Sequence, residues 1–415
     1  MKILRLSAYY WPERISASHL IDDLEAACVG AGFQFEIYCP TPTRGISEEV
    51  RQVYRKKRYE ERAGGNILIH RFAMFREGKN PVLRAIRYIL VHICQYRAGC
   101  TAKDIGLILG ISTPPTQGIL CGCIAKKLRK QSRRRVPFIY CLQDMFPDSL
   151  AAAGFTHKGS MLYRIGQWVE KKTYLYADQI IVISNDMRDT LLERGVPARK
   201  IEVVYNWIDT DKLSPVKLDD NPLARELGVD GSRFQVVYAG NLGLVQGVDT
   251  LIAAAAMLRD EPVDFLIFGT GAEEEKLKKM ASNCGNVRFF PLQPMERAAE
   301  VYSIGDCCAV LCRRGAGGVG VPSKTWSILA CGRPVLVSFD QSELTKLVEE
   351  AHAGLCSPAG DAAALAENIR TYMREPALRK EAGTRAREYA VKHAGRAAAV
   401  QKYVEILKEA GATNP

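Results

Sequence analysis

No run of about 18 uninterrupted apolar residues, the length a membrane-spanning helix needs, occurs in this chain of 415 residues. The opening "MKILRLSAYYWPE" has neither the apolar stretch nor the small-residue cleavage site of a signal peptide, so the expectation is a cytoplasmic protein. CxxC pairs are also absent. The thirteen cysteines are odd in number and scattered among apolar neighbours, as in "IYCLQ" and "GDCCAVLC", which speaks for reduced core residues and against a zinc site. Low-complexity tracts, short internal repeats and long exposed heptads are missing too, which excludes solenoids and coiled coils.

What is present in excess is positive charge, and it is unevenly shared. Residues 1–205 have 32 Lys and Arg against 19 Asp and Glu, a net +13, whereas residues 206–415 have 25 against 27, a net −2. A basic first half needs an anionic partner. No nucleic-acid motif and no basic stretch interleaved with stacking aromatics is found, so no nucleic acid is expected and an anionic membrane surface fits better.

Short apolar runs rich in β-branched residues alternate with longer segments of helical spacing, the signature of a parallel sheet covered by helices. The first half has "KILRLSA", "FEIYC", "NILIHRF", "IGLILGIS", "PFIYCLQ", "QIIVIS" and "IEVVY"; the second has "FQVVYAG", "DFLIFG", "VRFF", "CCAVLC" and "PVLVS". The pattern predicts an α/β chain of two doubly wound domains, 1–205 and 206–394, with a final helix over 395–415. The Asp- and Pro-rich "NWIDTDKLSPVKLDDNPLA" reads as the linker. Ligands of open parallel sheets sit outside the carboxyl ends of the strands, so function is sought in the loops that follow them.

Four such loops qualify. "YAGNLGLVQG" brings Gly240, Asn241, Gly243, Gln246 and Gly247 between a strand and a helix, which suits a close approach of backbone to ligand or merely a tight turn. "FGTGAEEEKL" puts Gly269 and Gly271 before Glu273, Glu274 and Glu275, which equally suit a helix N-terminus. "CRRGAGGVGVPSK" sets four glycines between Arg313, Arg314 and Lys324, with Pro322 and Ser323 at a helix mouth; close approach plus charge predicts a phosphate site. "LQDMFPDS" has Asp144 and Asp148 after a buried strand. Asp144 could orient a sugar hydroxyl or act as a base, while Asp148 or Ser149 could simply cap the next helix.

With "YYWPE", "STPP", "QDMFPDSL", "ADQIIVIS", "IEVVYNWIDTDKL", "VVYAGNLGLVQGVDTLI", "FGTGAEEEKL" and "VPSKTWSILACGRPVLVS" in order, nearly the whole chain resembles the family 4 glycosyltransferases of the GT-B fold. It is most similar to the branch that builds bacterial surface polysaccharides, which includes amino-sugar and fucosyl-type transferases. The resemblance implies two Rossmann-like domains facing each other across a cleft and a retaining transfer that uses no metal ion and no cofactor. The donor would be a nucleotide sugar, with UDP favoured by the branch, held by the C-terminal domain. A lipid diphosphate-linked or glycan acceptor would meet the N-terminal domain, and the last helix would cross back to that domain. The donor residues it implies are Gly240, Asn241, Gln246, Gly269, Gly271, Arg313, Arg314, Pro322, Ser323, Lys324 and Ser327. On the acceptor side are Arg14, Ser16, Gln143 and Asp144, with Asp144 and Lys324 as the catalytic pair.

The chain departs from the family pattern in several places. Two glutamates spaced as in many members would fall on Val319 and Ser327, the usual arginine and lysine of the first glycine loop on Asn241 and Gln246, and a common histidine on Gln143. Lys324, helped by Arg313 or Arg314, is then left to meet the diphosphate. These losses keep two other readings open, a nucleotide-sugar epimerase of the same fold and a non-catalytic scaffold.

"NPVLRAIRYILVHICQYR" sets Leu83, Ile86, Leu90 and Ile93 on one helical face and Arg84, Arg87 and Gln95 on the other. It suits either a helix on the inner face of the cell membrane or an ordinary sheet-covering helix, and the basic "KKLRKQSRRR" either a membrane contact or a solvated helix end.

Overall fold

All the apolar runs named above are strands in the computed structural model, which describes residues 1–13, 18–76, 81–152, 156–317 and 320–412. The chain divides into two units. One holds residues 1–183, 187–204 and 400–415; the other holds 184–186 and 205–399.

The first unit is an eight-stranded sheet of β1 (Lys2–Leu6), β2 (Gln34–Pro40), β3 (Tyr59–Arg62), β4 (Ile67–Phe72), β5 (Ile105–Ile111), β6 (Phe138–Leu142), β7 (Gln179–Val182) and β8 (Ile201–Val203). Its spatial order is β3-β4-β2-β1-β5-β6-β7-β8. Only β3 runs antiparallel. Its sequence "YEER" has one residue of high strand propensity, which is why this edge strand was not visible as an apolar run.

The second unit has six parallel strands: β9 (Phe234–Asn241), β10 (Val263–Thr270), β11 (Val287–Phe290), β12 (Cys307–Leu311), β13 (Val335–Phe339) and β14 (Gly354–Pro358). The order is β11-β10-β9-β12-β13-β14. Every residue of β12 and β13 is buried, because helices cover both faces of the sheet. The edge strand β14, "GLCSP", begins with glycine and ends with proline and was not foreseen.

The segment read as a linker is built into the second unit. Trp207 and Ile208 are buried, and Asn221 accepts from the N–H groups of Leu223 and Ala224 at 3.0 and 3.2 Å to cap the helix Pro222–Leu227. The last helix, Arg396–Ala412, belongs from Val400 onward to the first unit, where Tyr403 is buried and Lys402 donates to the Val203 carbonyl at 2.9 Å. All thirteen cysteines are free thiols, and nine of them are buried.

The pairing of β9 with β10 sets Gly240 beside Gly269. A Cβ on Gly269 would lie 2.2 Å from the Gly240 carbonyl oxygen, so the two strand ends approach as only glycine allows. Gly269→Ala is therefore expected to cost about 3 kcal/mol of unfolding free energy, as overpacking against immovable backbone does, with urea titration as the check.

Candidate active site

The strand order of the second unit reverses between β9 and β12, so the crevice outside their carboxyl ends is where an open parallel sheet receives a ligand. Three loops meet there, and backbone hydrogen bonds stitch them together. The β9 loop is central: Leu242 N–H donates to the Thr270 carbonyl at 2.9 Å, and its own carbonyl accepts from Glu273 N–H at 2.9 Å. On its other side Arg313 N–H donates to the Val245 carbonyl at 3.0 Å. Gly247, at φ 61°, has no room for a side chain, since a Cβ would lie 2.6 Å from the Cys312 carbonyl oxygen.

Lys324 stands in the first turn of the helix Ser323–Ala330, which Pro322 precedes as N-cap residue. Its Nζ is shut off from solvent and has no hydrogen-bond partner among the described residues. It lies 4.0 Å from the centre of the Tyr238 ring, a cation–π contact. Gly240 makes the room: a Cβ there would sit 2.7 Å from Nζ, and its φ of 148° disfavours other residues. Burial pushes the ammonium down to about 8. A cation taken out of water without a counter-charge, at a strand-end crevice and a helix mouth, is built to receive an anion.

The other expected donor residues gather on these loops, with different surroundings. The Asn241 amide lies between Gly243 and Gly271, where a Cβ would be 2.6 Å from Nδ2 and 2.7 Å from Oδ1, respectively; the Asn241 carbonyl accepts from the buried Tyr238 hydroxyl at 2.7 Å. Gln246 closes a turn by donating its N–H to the Gly243 carbonyl at 3.1 Å. Ser323 is exposed at the helix mouth, and Ser327 is buried one turn on. Arg313 does not join Lys324. Its guanidinium reaches Asp249 and Glu273 at 3.6 and 3.8 Å, two carboxylates from the helices that follow the first two loops. Arg314 is exposed. Glu273 and Glu274 also pair with Lys276 at 2.6 Å and Lys278 at 2.8 Å, so the acidic cluster supports its own helix while Glu273 holds Arg313 as well. Val319 lies outside the described residues.

Asp340, which no local pattern marks, holds the start of the long glycine loop. Its Oδ2 accepts from the N–H groups of Gly315 at 2.8 Å and Gly317 at 3.0 Å. Gly315 has φ 81°, and a Cβ on Gly317 would be 2.7 Å from the Phe339 ring, so loop, carboxylate and β13 form one tight turn. Glu343 was also missed. It accepts from the Asn185 N–H at 2.6 Å, the Asn185 amide at 2.8 Å and the Tyr205 hydroxyl, and Asp186 in return accepts from Glu343 N–H at 2.7 Å.

In the first unit, Asp144 follows β6 and is exposed, yet the protein around it desolvates the carboxyl enough to raise its pKa against hydrogen bonds from Ser149 and the Met145 N–H. Gln143 N–H donates to Ser112 Oγ at 3.0 Å. Asp148 is structural: it accepts from Tyr163 Oη at 2.7 Å and pairs with Arg194, which also pairs with Glu170. Burial pushes Glu170 up to about 7. Arg14 and Ser16 lie outside the described residues. Among the described residues no cluster of three or more His, Cys, Asp or Glu forms a metal-binding group.

Because the Asp340 contacts are charge-assisted, Asp340→Ala is expected to speed amide hydrogen exchange at Gly315 and Gly317 by about tenfold or more, with the core strands unchanged. Unchanged exchange at both glycines would show that the carboxylate does not hold the loop.

Comparison with known proteins agrees with this architecture. Residues 17–212 match glycosyltransferase family 4, and residues 219–389 match the glycosyl transferases group 1. The probable glycosyltransferase WbjE of Pseudomonas aeruginosa is 29% identical over 56% of this chain, an alignment that spans 58% of that protein. The putative colanic acid biosynthesis glycosyl transferase WcaI of Escherichia coli is 29% identical over 72% of this chain and 73% of its own. Among solved structures, sucrose-phosphate synthase of Thermosynechococcus elongatus superposes with a TM-score of 0.75 at 19% identity over 98% of both chains. HepE of Anabaena, solved with UDP and with UDP-glucose, reaches 0.69 at 16% identity over 99% of this chain and 100% of its own. The two doubly wound units are thus those of the GT-B fold, and the chain belongs to the family 4 glycosyltransferases.

Proposed function

We propose that the protein transfers a sugar from a UDP-sugar to a lipid diphosphate-linked or glycan acceptor with retention at the anomeric carbon. The carrying observation is the buried, unpartnered Lys324 ammonium at the crevice between β9 and β12. A diphosphate supplies the counter-charge this group lacks, and the N–H groups at the helix mouth add to it. The UDP complexes of HepE support the choice of nucleotide, and the assignment of WcaI to colanic acid biosynthesis supports a polysaccharide acceptor.

In this reading the bond from the anomeric carbon to the diphosphate oxygen breaks as negative charge builds on that oxygen, and Lys324 stabilises it. The acceptor hydroxyl bonds to the anomeric carbon from the same face and passes its proton to the departing diphosphate. Asp144 orients the acceptor, which suits an exposed carboxylate at a strand end. No metal enters the scheme: Lys324 and backbone N–H groups carry the neutralisation.

Thermal shift across UDP-, GDP- and dTDP-sugars tests the donor assignment. UDP-sugars are expected to stabilise the wild type and to lose that effect in Lys324→Met. Stabilisation by another nucleotide, or an equal UDP shift in the variant, would contradict it. Without ligand the variant should be the more stable protein at pH 7, since it buries no unpaired charge. The sign follows from a folded value near 8 against 10.5 unfolded. Below about pH 8 both states hold the proton and the penalty is constant; between 8 and 10.5 the folded state gives it up first, so wild-type stability climbs toward that of the variant as pH rises. Urea titrations at pH 7 and 9.5 measure the closing gap.

A further inference from the structure

The helix Pro81–Thr101 turns Arg87, Val91 and Gln95 inward, while Arg84, expected on the same face, and Arg97 are exposed. Arg87 and Gln95 are both 0% exposed, while Leu83, Ile86, Ile89, Leu90 and Ile93 face solvent, Ile89 at 60%. The buried face has its own chemistry. Gln95 donates to the Ser7 and Tyr38 carbonyls at 3.0 and 3.2 Å, and the Arg87 guanidinium lies 5.3 Å from the Tyr9 ring and bonds Thr43 Oγ1 at 3.4 Å. A water-facing helix would have the opposite arrangement.

A second helix of the same unit, Met161–Tyr176, repeats the feature. Met161, Ile165, Trp168 and Leu175 are exposed, Trp168 at 57% and Leu175 at 65%, with Arg164 and Lys171 exposed between them. The helix Gln117–Ser132 packs against both of these helices and exposes Lys126, Lys127 and Lys130. Across the three helices the sequence has ten Lys and Arg and one acid, Glu170, which is buried and paired with Arg194.

Apolar rows set in a field of positive charge with no exposed acid match one occupant, the surface of an anionic lipid bilayer, where side chains such as Ile89 and Trp168 enter the headgroup boundary and the lysines meet phosphate. We infer that these three helices form a membrane-docking face of the first unit. The inference deepens the proposed function by giving the lipid-linked acceptor a place of delivery. A second copy of the chain suits the face less well, because two such faces would set exposed cations such as Lys126, Lys127, Lys130 and Lys171 against their like. Among the described residues no helix is long and apolar enough to cross a membrane, so the contact is one of lying on the bilayer.

The test uses the full chain and vesicles of phosphatidylcholine alone or with phosphatidylglycerol. Trp207 and Trp326 are buried and Trp11 is half-buried, so the contribution of the exposed Trp168 at this face is isolated by comparison with Trp168→Phe. The expected result is sedimentation with the phosphatidylglycerol vesicles and a blue-shifted emission that Trp168→Phe abolishes. Both I89E/I93E and K171E/K172E should weaken binding at least tenfold while their melting temperatures and UDP-sugar thermal shifts stay at wild-type values. A folded wild type that ignores anionic vesicles, binds phosphatidylcholine alone equally well, or forms a lipid-free dimer that I89E/I93E dissociates would overturn the inference. The UDP-sugar shift, read on the same samples, fails or holds independently and so separates this face from the donor assignment.

Discussion

An ammonium ion held away from water beside a tyrosine ring, with no hydrogen-bond partner among the described residues, is an unstable arrangement, and the second unit is built around one. The displacement of Lys324 from 10.5 to about 8 corresponds to roughly 3 kcal/mol between its charged and neutral forms, a large fraction of a domain's net stability. A chain seldom keeps such a cost without a return. The return on offer is an anion bound in low dielectric, where charge-assisted hydrogen bonds are strongest and no solvent must be rearranged as negative charge develops.

The rest of the unit keeps that cation in place. Tyr238 is held by its hydroxyl on the Asn241 carbonyl, so the ring over which Nζ sits cannot rotate away freely. Gly240 leaves the space, and Gly269 lets β10 close against it. The β9 loop is bonded on both sides to its neighbours, and Asp340 pins the third loop by two N–H groups. The crevice is thus assembled from backbone and glycine, and Lys324 brings a buried positive charge to it.

Much of this was legible in the sequence, because glycines at strand ends and a lysine at a helix mouth are local features. All twelve apolar runs are strands. What escaped is what depends on partners far along the chain. Asp340 sits 25 positions from Gly315, and nothing in "SFDQSEL" advertises a loop anchor. Arg313 reads as a phosphate cation until Asp249 and Glu273 arrive from other helices. The helix at 81–101 shows two clear faces, but periodicity does not say which one turns inward. That was decided by the Ser7 and Tyr38 carbonyls and the Thr43 hydroxyl, which need the polar side. β3 and β14 lack apolar runs: both are edge strands, which tolerate polar, Gly and Pro residues, although the opposite edges β8 and β11 do have such runs.

The central claim is that Lys324 waits uncompensated for a diphosphate, and the titration of its side chain tests this most directly. NMR of the 13Cε signal, assigned by comparison with Lys324→Met, gives the ionisation midpoint with and without UDP. A midpoint near 8 in the free protein, raised when UDP binds, is what the account predicts. A midpoint at the ordinary lysine value, unmoved by UDP, would contradict it.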